Sequence, residues 1–282
     1  MNLHQNKLDA GLYCVPTPIG NLGDITLRGL DVLRSCDMIV CEDSRMTGRL
    51  LKAYDIPSKK KIIYNDHASI ETRDYIVSLV AEGRILALVS DAGTPLISDP
   101  GYKLVRACFD AGVYVTALPG SNAVLPAIQL SGLPSDVFTF AGFLPRKVSA
   151  VGKMISEYSA APETLIFYDT ASRILKNLKA MRDVLGDRQI AVVREISKLY
   201  EESIRGTISD VIDRISGNAI KGEIVIVVEG AQKSDEDFDV PALIRSALST
   251  GESVKELAAR LASDTGQKKK DIYNLAIKLR DE

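Results

Sequence analysis

The sequence predicts two successive α/β domains followed by a small helical module. Up to about residue 132, short apolar segments alternate with amphipathic helical segments. This alternation is typical of a parallel sheet that is covered by helices on both faces. From about residue 133 the order is less regular, which indicates a mixed sheet, and after residue 240 only helical patterns remain.

The first domain, residues 11–132, is predicted to be a doubly wound parallel sheet. Apolar segments predict its strands at residues 12–16, 38–41, 62–64, 85–89 and 113–118. Helical spacing of apolar residues predicts its helices at 26–34, 45–53, 69–81 and 102–111. Ser69 is predicted to be the N-cap of the third helix because its hydroxyl can accept a bond from a free backbone amide.

The second domain, residues 133–231, is predicted to begin at the turn cluster LPSD. Its strands are predicted at 137–143, 164–168, 190–195, 198–205 and 223–228, and its helices at 149–158, 172–184 and 209–215. The third and fourth of these strands are too close in sequence for a helix between them. They are therefore predicted to form an antiparallel hairpin, which makes this sheet mixed.

The C-terminal module, residues 240–282, follows the acidic, turn-rich segment QKSDEDFD at 232–239. Three helices are predicted in it, at 241–248, 254–262 and 269–279. A turn around the glycine at 266 makes a helix-turn-helix arrangement possible. The module carries eight lysines and arginines against six acidic residues, whereas the whole chain has a net charge of −2.

Composition excludes several classes of protein. A net charge of −2 and a pI near 5.9 exclude a protein that coats nucleic acid by bulk charge. The four cysteines lack zinc-ligand spacing, and two histidines are too few for a histidine-rich metal site, so no metal is expected. No apolar run is long enough to span a membrane, and residues 1–10 lack a signal peptide's apolar core. We therefore expect a soluble cytoplasmic protein.

Three loops follow predicted strands of the first domain and are candidates for ligand binding. They are residues 16–26, 90–101 and 118–123, all rich in glycine, proline and small polar residues. Doubly wound folds bind ligands beyond the carboxyl ends of their strands. The first loop matches neither a P-loop nor a GxGxxG motif. The second is longer than most connections between a strand and a helix, which favours a functional role.

Five segments together resemble the tetrapyrrole methylase superfamily, and within it a branch that modifies small-subunit ribosomal RNA. They are PTPIGNLGDIT at 16–26, EDSRMT at 42–47, LVSDAGTPLISDPG at 88–101, LPSDVFTFAGFLPRK at 133–147 and VREI at 193–196. The resemblance covers about residues 11–230. The three C-terminal helices resemble that branch's helix-turn-helix module.

The resemblance implies S-adenosylmethionine as the cofactor, in a cleft between the two α/β domains, and a homodimer. It also implies methylation of the ribose 2'-hydroxyl of a decoding-centre cytidine in 16S rRNA, within the 30S subunit, with neither DNA nor a membrane as partner. The positions that match family cofactor contacts are Pro18, Gly20, Asp91, Ala92, Gly93, Thr94, Leu96, Ile97, Ser98, Ser121, Ala123, Phe167, Tyr168, Gly222 and Glu223.

The chain departs from the family pattern in two loops. It has NDHAS at 65–69 where the family usually shows His-Asp/Glu-His-Asn-Glu, and PGSNA at 119–123 where Pro-Gly-Pro-Ser/Cys-Ala is frequent. The first departure falls in a loop that offers a candidate base. The second leaves backbone contacts to the cofactor possible.

Charged residues at predicted strand ends are candidates for the chemistry. A ribose hydroxyl is a very weak acid, so a positioned base would assist its attack. Glu42, Asp66 and His67 are the candidate bases, and the sequence does not choose among them. Arg45 or Lys198 could orient the ribose or a phosphate.

RNA recognition is predicted to rest on phosphate contacts and on extrusion of the target nucleotide from its stack. The candidate phosphate contacts are Arg146, Lys147, Arg173, Lys268, Lys269 and Lys270. Three alternatives are open at this point: methylation of a small tetrapyrrole-like substrate, a non-catalytic cofactor-binding scaffold, and a DNA-binding regulator. The first would normally show GxGxGD in its first loop, which this chain lacks.

Overall fold

The computed structural model describes residues 8–217, 220–232, 239–265 and 269–280. The chain divides into two compact units, Met1–Gly230 and Ala231–Glu282. The first unit contains two five-stranded sheets, and the second contains three helices. The predicted fold class is confirmed: one sheet is all parallel, the other is mixed, and helices follow them.

The first sheet has the strand order β3-β2-β4-β1-β5, and all four pairings are parallel. Its strands are β1 Gly11–Cys14, β2 Met38–Cys41, β3 Lys60–Ile63, β4 Ile85–Val89 and β5 Val115–Ala117. Its helices are α1 Leu27–Ser35, α2 Ser44–Ala53, α3 Ile70–Ala81, α4 Tyr102–Asp110 and, leading to the next sheet, α5 Val124–Ser131. The Ser69 hydroxyl accepts a bond from the Thr72 amide, which confirms the predicted cap of α3.

Side chains of the first sheet alternate between two apolar layers. Leu86 and Leu88 of β4 pack on the side of α3 and α4, while Ala87 and Val89 pack on the side of α1 and α2. Both faces are therefore buried, as the uninterrupted apolar strands predict. Three predicted strands have other bounds: β1 spans Gly11–Cys14 rather than 12–16, β3 spans Lys60–Ile63 rather than 62–64, and β5 spans Val115–Ala117 rather than 113–118. The sequence pattern missed the start of β3 because an edge strand can carry lysines.

The second sheet has the order β6-β7-β10-β8-β9, in which only β6 and β7 run parallel. Its strands are β6 Phe138–Phe143, β7 Thr164–Thr170, β8 Gln189–Arg194, β9 Glu202–Thr207 and β10 Glu223–Val228. Its helices are α6 Val148–Glu157, α7 Ile174–Leu185 and α8 Ile208–Ser216. The β8–β9 hairpin is confirmed, but β9 begins at Glu202 rather than at 198 because residues 195–201 form a hydrogen-bonded turn.

The two faces of the second sheet are covered unequally. Leu165 and Phe167 of β7 pack in a large core with α6, α7 and α8. Ile166 and Tyr168 point to the other face, where α5 contributes Val124, Ala127 and Ile128. This second face is the one that lines the candidate site.

The second unit consists of α9 Val240–Ser249, α10 Val254–Thr265 and α11 Lys269–Arg280. They share a small core that includes Ile244, Leu257, Leu261 and Ile272. Asp239 caps α9, and the prediction of three short helices is confirmed. The predicted linker at 232–239 and the turn glycine at 266 lie largely outside the described residues.

All four cysteines are buried free thiols in the first unit: Cys14, Cys36, Cys41 and Cys108. Burial raises the pKa of Cys14, Cys36 and Cys108 to about 11. These thiols therefore stay protonated at neutral pH. Within the described residues, no helix is long and apolar enough to cross a membrane.

Candidate functional site

A cavity of about 350 Å³ lies between the loops of the first sheet and the open face of the second sheet. Its wall combines loop residues, apolar side chains and four acidic residues. It is lined by Ile19, Asp91, Ala92, Gly93, Thr94, Ile97, Ser98, Asp99, Asn122, Ala123, Phe143, Tyr168, Asp169, Thr170, Ile196, Glu223, Ile224 and Val225. A concave, mostly apolar site with a few polar groups is typical of small-molecule and cofactor binding.

The three loops that follow strands of the first sheet hold one another in place. Thr17 and Gly93 exchange two backbone hydrogen bonds of 2.9 Å, which join the first loop to the long loop. The Thr94 hydroxyl donates to the carbonyl of Ser121 at 2.9 Å, which joins the long loop to the third. The Ser121 hydroxyl in turn donates to the carbonyl of Asp24 at 2.9 Å.

The long loop has an unusual backbone that this network supports. Leu96 and Ser98 have φ values of 73° and 63°, in the left-handed region that non-glycine residues rarely adopt. Such conformations persist where the surroundings fix them, and they cluster at functional sites. Leu96 itself packs towards the core beside α3 and α4, so its turn presents Ile97 and Ser98 to the cavity.

One glycine is required by the close approach of two loops. A Cβ at Gly120 would lie 2.6 Å from the Cβ of Pro16. The third loop can therefore pack against the first only where position 120 has no side chain.

The second sheet supplies an aromatic and aliphatic wall. The Tyr168 ring lies edge-on to Phe140 at 4.7 Å and to Phe143 at 5.1 Å. Burial, with the nearby charge of Asp99, raises the pKa of Tyr168 to about 12, so its hydroxyl remains protonated. Ile196 and Val225 extend the apolar surface.

Asp169 is a buried acidic residue of β7 that borders the cavity, and its carboxylate has partners from α7. Arg173 Nη2 lies 3.0 Å from its Oδ1, and Asn177 Nδ2 donates to its Oδ2 at 2.8 Å. Burial nevertheless raises the pKa of Asp169. Arg173 also donates to the carbonyls of Leu144 and Pro145.

Lys198 joins the turn between β8 and β9 to the first loop. Its ammonium lies 2.9 Å from Glu195 Oε1 and 2.8 Å from Glu223 Oε2. Burial opposes its charge, but these hydrogen bonds raise the pKa of Lys198 and lower that of Glu195. Its aliphatic chain covers Gly20, where a Cβ would lie 2.4 Å from Lys198 Cγ.

The rim beside the first sheet is acidic. Burial and the charges of neighbouring carboxylates raise the pKa of Glu42, and burial raises that of Asp91. Burial and the charge of Glu42 raise the pKa of Asp99 to about 6. Asp43 is different, because its hydrogen bonds from Arg45 lower its pKa to about 2.

The structure places most of the predicted cofactor residues on the cavity wall, namely Asp91, Ala92, Gly93, Thr94, Ile97, Ser98, Ala123, Tyr168 and Glu223. Pro18, Gly20, Leu96, Ser121, Phe167 and Gly222 do not line it. Phe167 is fully buried on the opposite face of its sheet, since successive residues of a strand alternate in direction. Gly20 and Gly222 instead give room to the side chains of Lys198 and Glu195.

The predicted catalytic residues lie around the cavity but not on its wall. Glu42, Asp66 and His67 are exposed at the ends of β2 and β3. Arg45 is exposed and paired with Asp43. In the described part of the chain, no three histidine, cysteine or carboxylate side chains are arranged to hold a metal ion.

The predicted phosphate contacts are in different situations. Arg146, Lys147, Lys269 and Lys270 are exposed. Arg173 is occupied by Asp169 and two backbone carbonyls. Lys268 lies outside the described residues.

Sequence reasoning did not select Ile19, Asp99, Asn122, Asp169 or Ile196 as site residues. Ile19, Asp99 and Asn122 lie within the three loops that it did select. Asp169 and Ile196 directly follow strands that it predicted, so their position at strand ends could have indicated them as site residues.

Comparisons with known proteins agree with this fold. The family model described as tetrapyrrole (corrin/porphyrin) methylases matches residues 11–212. The chain therefore belongs to this family and is a methyltransferase. Two solved structures with the same fold are a diphthine synthase, at a TM-score of 0.61 and 15% identity, and a cobalt precorrin-4 methyltransferase, at 0.57 and 19%. They cover 77% of this chain each, and 89% and 94% of their own.

More similar relatives carry the name ribosomal RNA small subunit methyltransferase I. The relative from Rickettsia prowazekii is 42% identical over 95% of this chain and 94% of its own length. That from Bacillus subtilis is 40% identical over the same shares. That from Escherichia coli O157:H7 is 41% identical over 98% of this chain and 99% of its own.

Proposed function

We propose that this chain uses S-adenosylmethionine to methylate the ribose 2'-hydroxyl of a cytidine in 16S rRNA, with the 30S subunit as substrate. The observation that carries the proposal is the identity of about 40%, over nearly the full length of both chains, to relatives named for small-subunit rRNA methylation. We further propose three domains, 11–132, 133–231 and 240–282, in a cytoplasmic homodimer.

The residues of the cavity fit S-adenosylmethionine. The volume of about 350 Å³ lies within the range of about 300–1,000 Å³ for small-molecule sites. Tyr168, Phe143 and Val225 offer an apolar wall for an adenine ring. The carboxylate of Asp91 complements a positive charge. When bound, the cofactor supplies a methyl group on a cationic sulfur.

The chain's own contribution is to exclude water and to hold the acceptor oxygen in line with that methyl group. Such positioning can provide much of the rate acceleration. The loop network from Thr17 to Ser121 keeps the cavity wall in shape before any ligand binds. Glu42, Asp66 and His67 are candidate bases at the rim, and Arg45 and Lys198 are candidates for orienting the nucleotide.

Transfer of tritium from labelled S-adenosylmethionine to 30S subunits from an unmethylated strain tests the proposal, with nuclease digestion of the product. We expect the label in a 2'-O-methylcytidine at one position of 16S rRNA. Label in a base, or no label in RNA despite cofactor binding by calorimetry, would contradict it. The second outcome would favour a small-molecule substrate or a non-catalytic scaffold.

We also propose that the second unit binds RNA phosphates through the exposed lysines at the start of α11. The double substitution Lys269→Glu and Lys270→Glu is expected to weaken 30S binding and to reduce its salt dependence by about one unit of log slope per lost contact. Cofactor affinity is expected to stay the same. Lys255→Glu, an exposed lysine at the start of α10, is the matched control. Equal loss in the control would show a general charge effect instead.

A further inference from the structure

Four acidic residues line the cavity, and the carboxylates of three of them have a hydrogen-bond donor or a cation as partner. Asp91 Oδ1 accepts from the Asp43 amide at 3.2 Å. Asp169 has Arg173 and Asn177, and Glu223 has Lys198. The partners of Asp91 and Asp169 oppose the rise in pKa that burial causes in each of them.

Asp99 is the exception among these four. Within the residues that the structure describes, it has neither an ion pair nor a backbone amide donor, and the nearby Ser90 hydroxyl donates to the carbonyl of Gly93 at 3.0 Å. The other charged groups that act on it are acidic: Glu42 after β2, Asp66 after β3 and Asp91 on its own loop. The neighbouring groups from the second sheet are Tyr168, which remains neutral, and Glu223, which is paired with Lys198.

The position of Asp99 is fixed by the backbone around it. Ser98 before it has a φ of 63°, and after it come Pro100 and Gly101, whose φ is 139°. A Cβ at Gly101 would lie 2.9 Å from the Leu96 side chain, so the end of the loop folds tightly back on its middle. The carboxylate is thus held at the cavity wall, partly buried, rather than on a free loop.

We propose that Asp99 is the general base that accepts the proton from the attacking ribose hydroxyl, an inference that rests on the proposed function. In this step the hydroxyl oxygen bonds to the methyl carbon. The carbon–sulfur bond breaks with its electron pair going to sulfur, and the hydroxyl proton moves to the Asp99 carboxylate. The charges then balance: a cation and a carboxylate become a neutral thioether and a carboxylic acid.

The surroundings of Asp99 suit this role better than those of the exposed candidates. A carboxylate without a cation is more basic, and a pKa of about 6 leaves it ionised at neutral pH yet close to the working range of a general base. Glu42 and Asp66 then act through Asp99, as positioning residues whose charges keep its proton affinity high. His67 is exposed and does not line the cavity.

The test is the pH dependence of single-turnover methylation of 30S subunits, at saturating enzyme and cofactor. The wild-type rate is expected to rise with pH through the pKa of Asp99 in the complex, which the cationic sulfur of the cofactor lowers from about 6 in the free chain. Asp99→Asn is expected to lower the rate at pH 7.5 by about 100-fold or more and to abolish this rise, with cofactor affinity within about threefold. Glu42→Gln is expected to shift the rise to lower pH, because it removes a negative charge beside Asp99.

Asp183→Asn, at an exposed position on α7, is the matched control and should leave the rate and its pH profile unchanged. Asp99→Asn should also be no less stable than the wild type at pH 8, because a raised pKa means that the ionised carboxylate destabilises the fold. An Asp99→Asn enzyme within threefold of the wild-type rate, or one that keeps the acid limb, would overturn the inference. An inactive wild type would instead overturn the proposed function.

Discussion

The carboxylates near the two sheets differ in their charged neighbours. At the ends of the first sheet, Glu42, Asp91 and Asp99 stand near one another, and each has a raised pKa. At the edge of the second sheet, each cavity carboxylate has a cation: Asp169 has Arg173, and Glu223 has Lys198. Burial raises the pKa of Asp169 as well, but its arginine and asparagine partners oppose that rise, whereas the charges that act on Glu42 and Asp99 are all acidic. The first sheet is thus suited to proton transfer and the second to holding shape.

Breaking the buried pair of the second sheet should have the largest effect on stability. Arg173→Ala leaves Asp169 buried without its cation, and such losses cost about 3–5 kcal/mol. Because the pKa of Asp169 is already raised and would rise further, the loss should be smaller at pH 5 than at pH 8. Urea unfolding at both pH values measures it.

Arg182→Ala is the matched control on the same helix, because that arginine donates only to the Ser209 hydroxyl among its described hydrogen bonds. We expect it to cost about 1 kcal/mol or less, without pH dependence. Equal losses for the two variants would show that the Asp169 pair does not hold the second sheet's edge.

A substitution between loops of the first sheet should have the next largest effect. Gly120→Ala places a methyl group against Pro16, and such overpacking costs about 1–3 kcal/mol. It should also weaken S-adenosylmethionine binding, because the third loop would move away from the first. Calorimetric titration and thermal unfolding give the two effects.

Gly48→Ala is the comparison for Gly120→Ala, because it should change the free energy of unfolding in the opposite direction. Gly48 lies within α2, and nothing lies within 4 Å of a Cβ there. Alanine should therefore stabilise the helix by about 0.5–1 kcal/mol and leave cofactor binding unchanged. Loss of binding in both variants would show that loop contact is not the cause.

The smallest expected effect is at the exposed pair of the second sheet. The Glu223 side chain is 81% exposed, so its coupling to Lys198 should be about 0.5 kcal/mol. A double-mutant cycle with Lys198→Met and Glu223→Gln measures this coupling. Methionine is chosen because its aliphatic side chain can still pack over Gly20. A coupling above about 2 kcal/mol would mean that this pair is as important as the buried one.

Much of the fold could be predicted because burial leaves a clear pattern. Strands β2, β4 and β10 have the predicted bounds, since each is apolar and ends at a charged or turn residue. The start of β9 could not be predicted. Residues 198–201 have strand-like composition, but a backbone turn with positive φ at Glu195 and Ser197 places them before the strand.

The site was predictable only in part, for a similar reason. The loops were visible as glycine- and proline-rich segments, so their cavity residues could be found. Phe167 and Tyr168 are adjacent in sequence, and only the register of β7 shows which one faces the cavity. The raised pKa of Asp99 depends in part on acidic residues at three separate strand ends, and no local sequence pattern shows that these come together.

The buried cysteines can report when the first sheet opens. All four thiols belong to the first sheet and its helices, and the remaining 160 or so residues contain none. A thiol reagent can react only when that sheet opens, because the folded thiols are both covered and protonated. The labelling rate would therefore measure how often the first sheet opens and would not respond to opening elsewhere in the molecule. A ligand that closes the loops should lower this labelling rate.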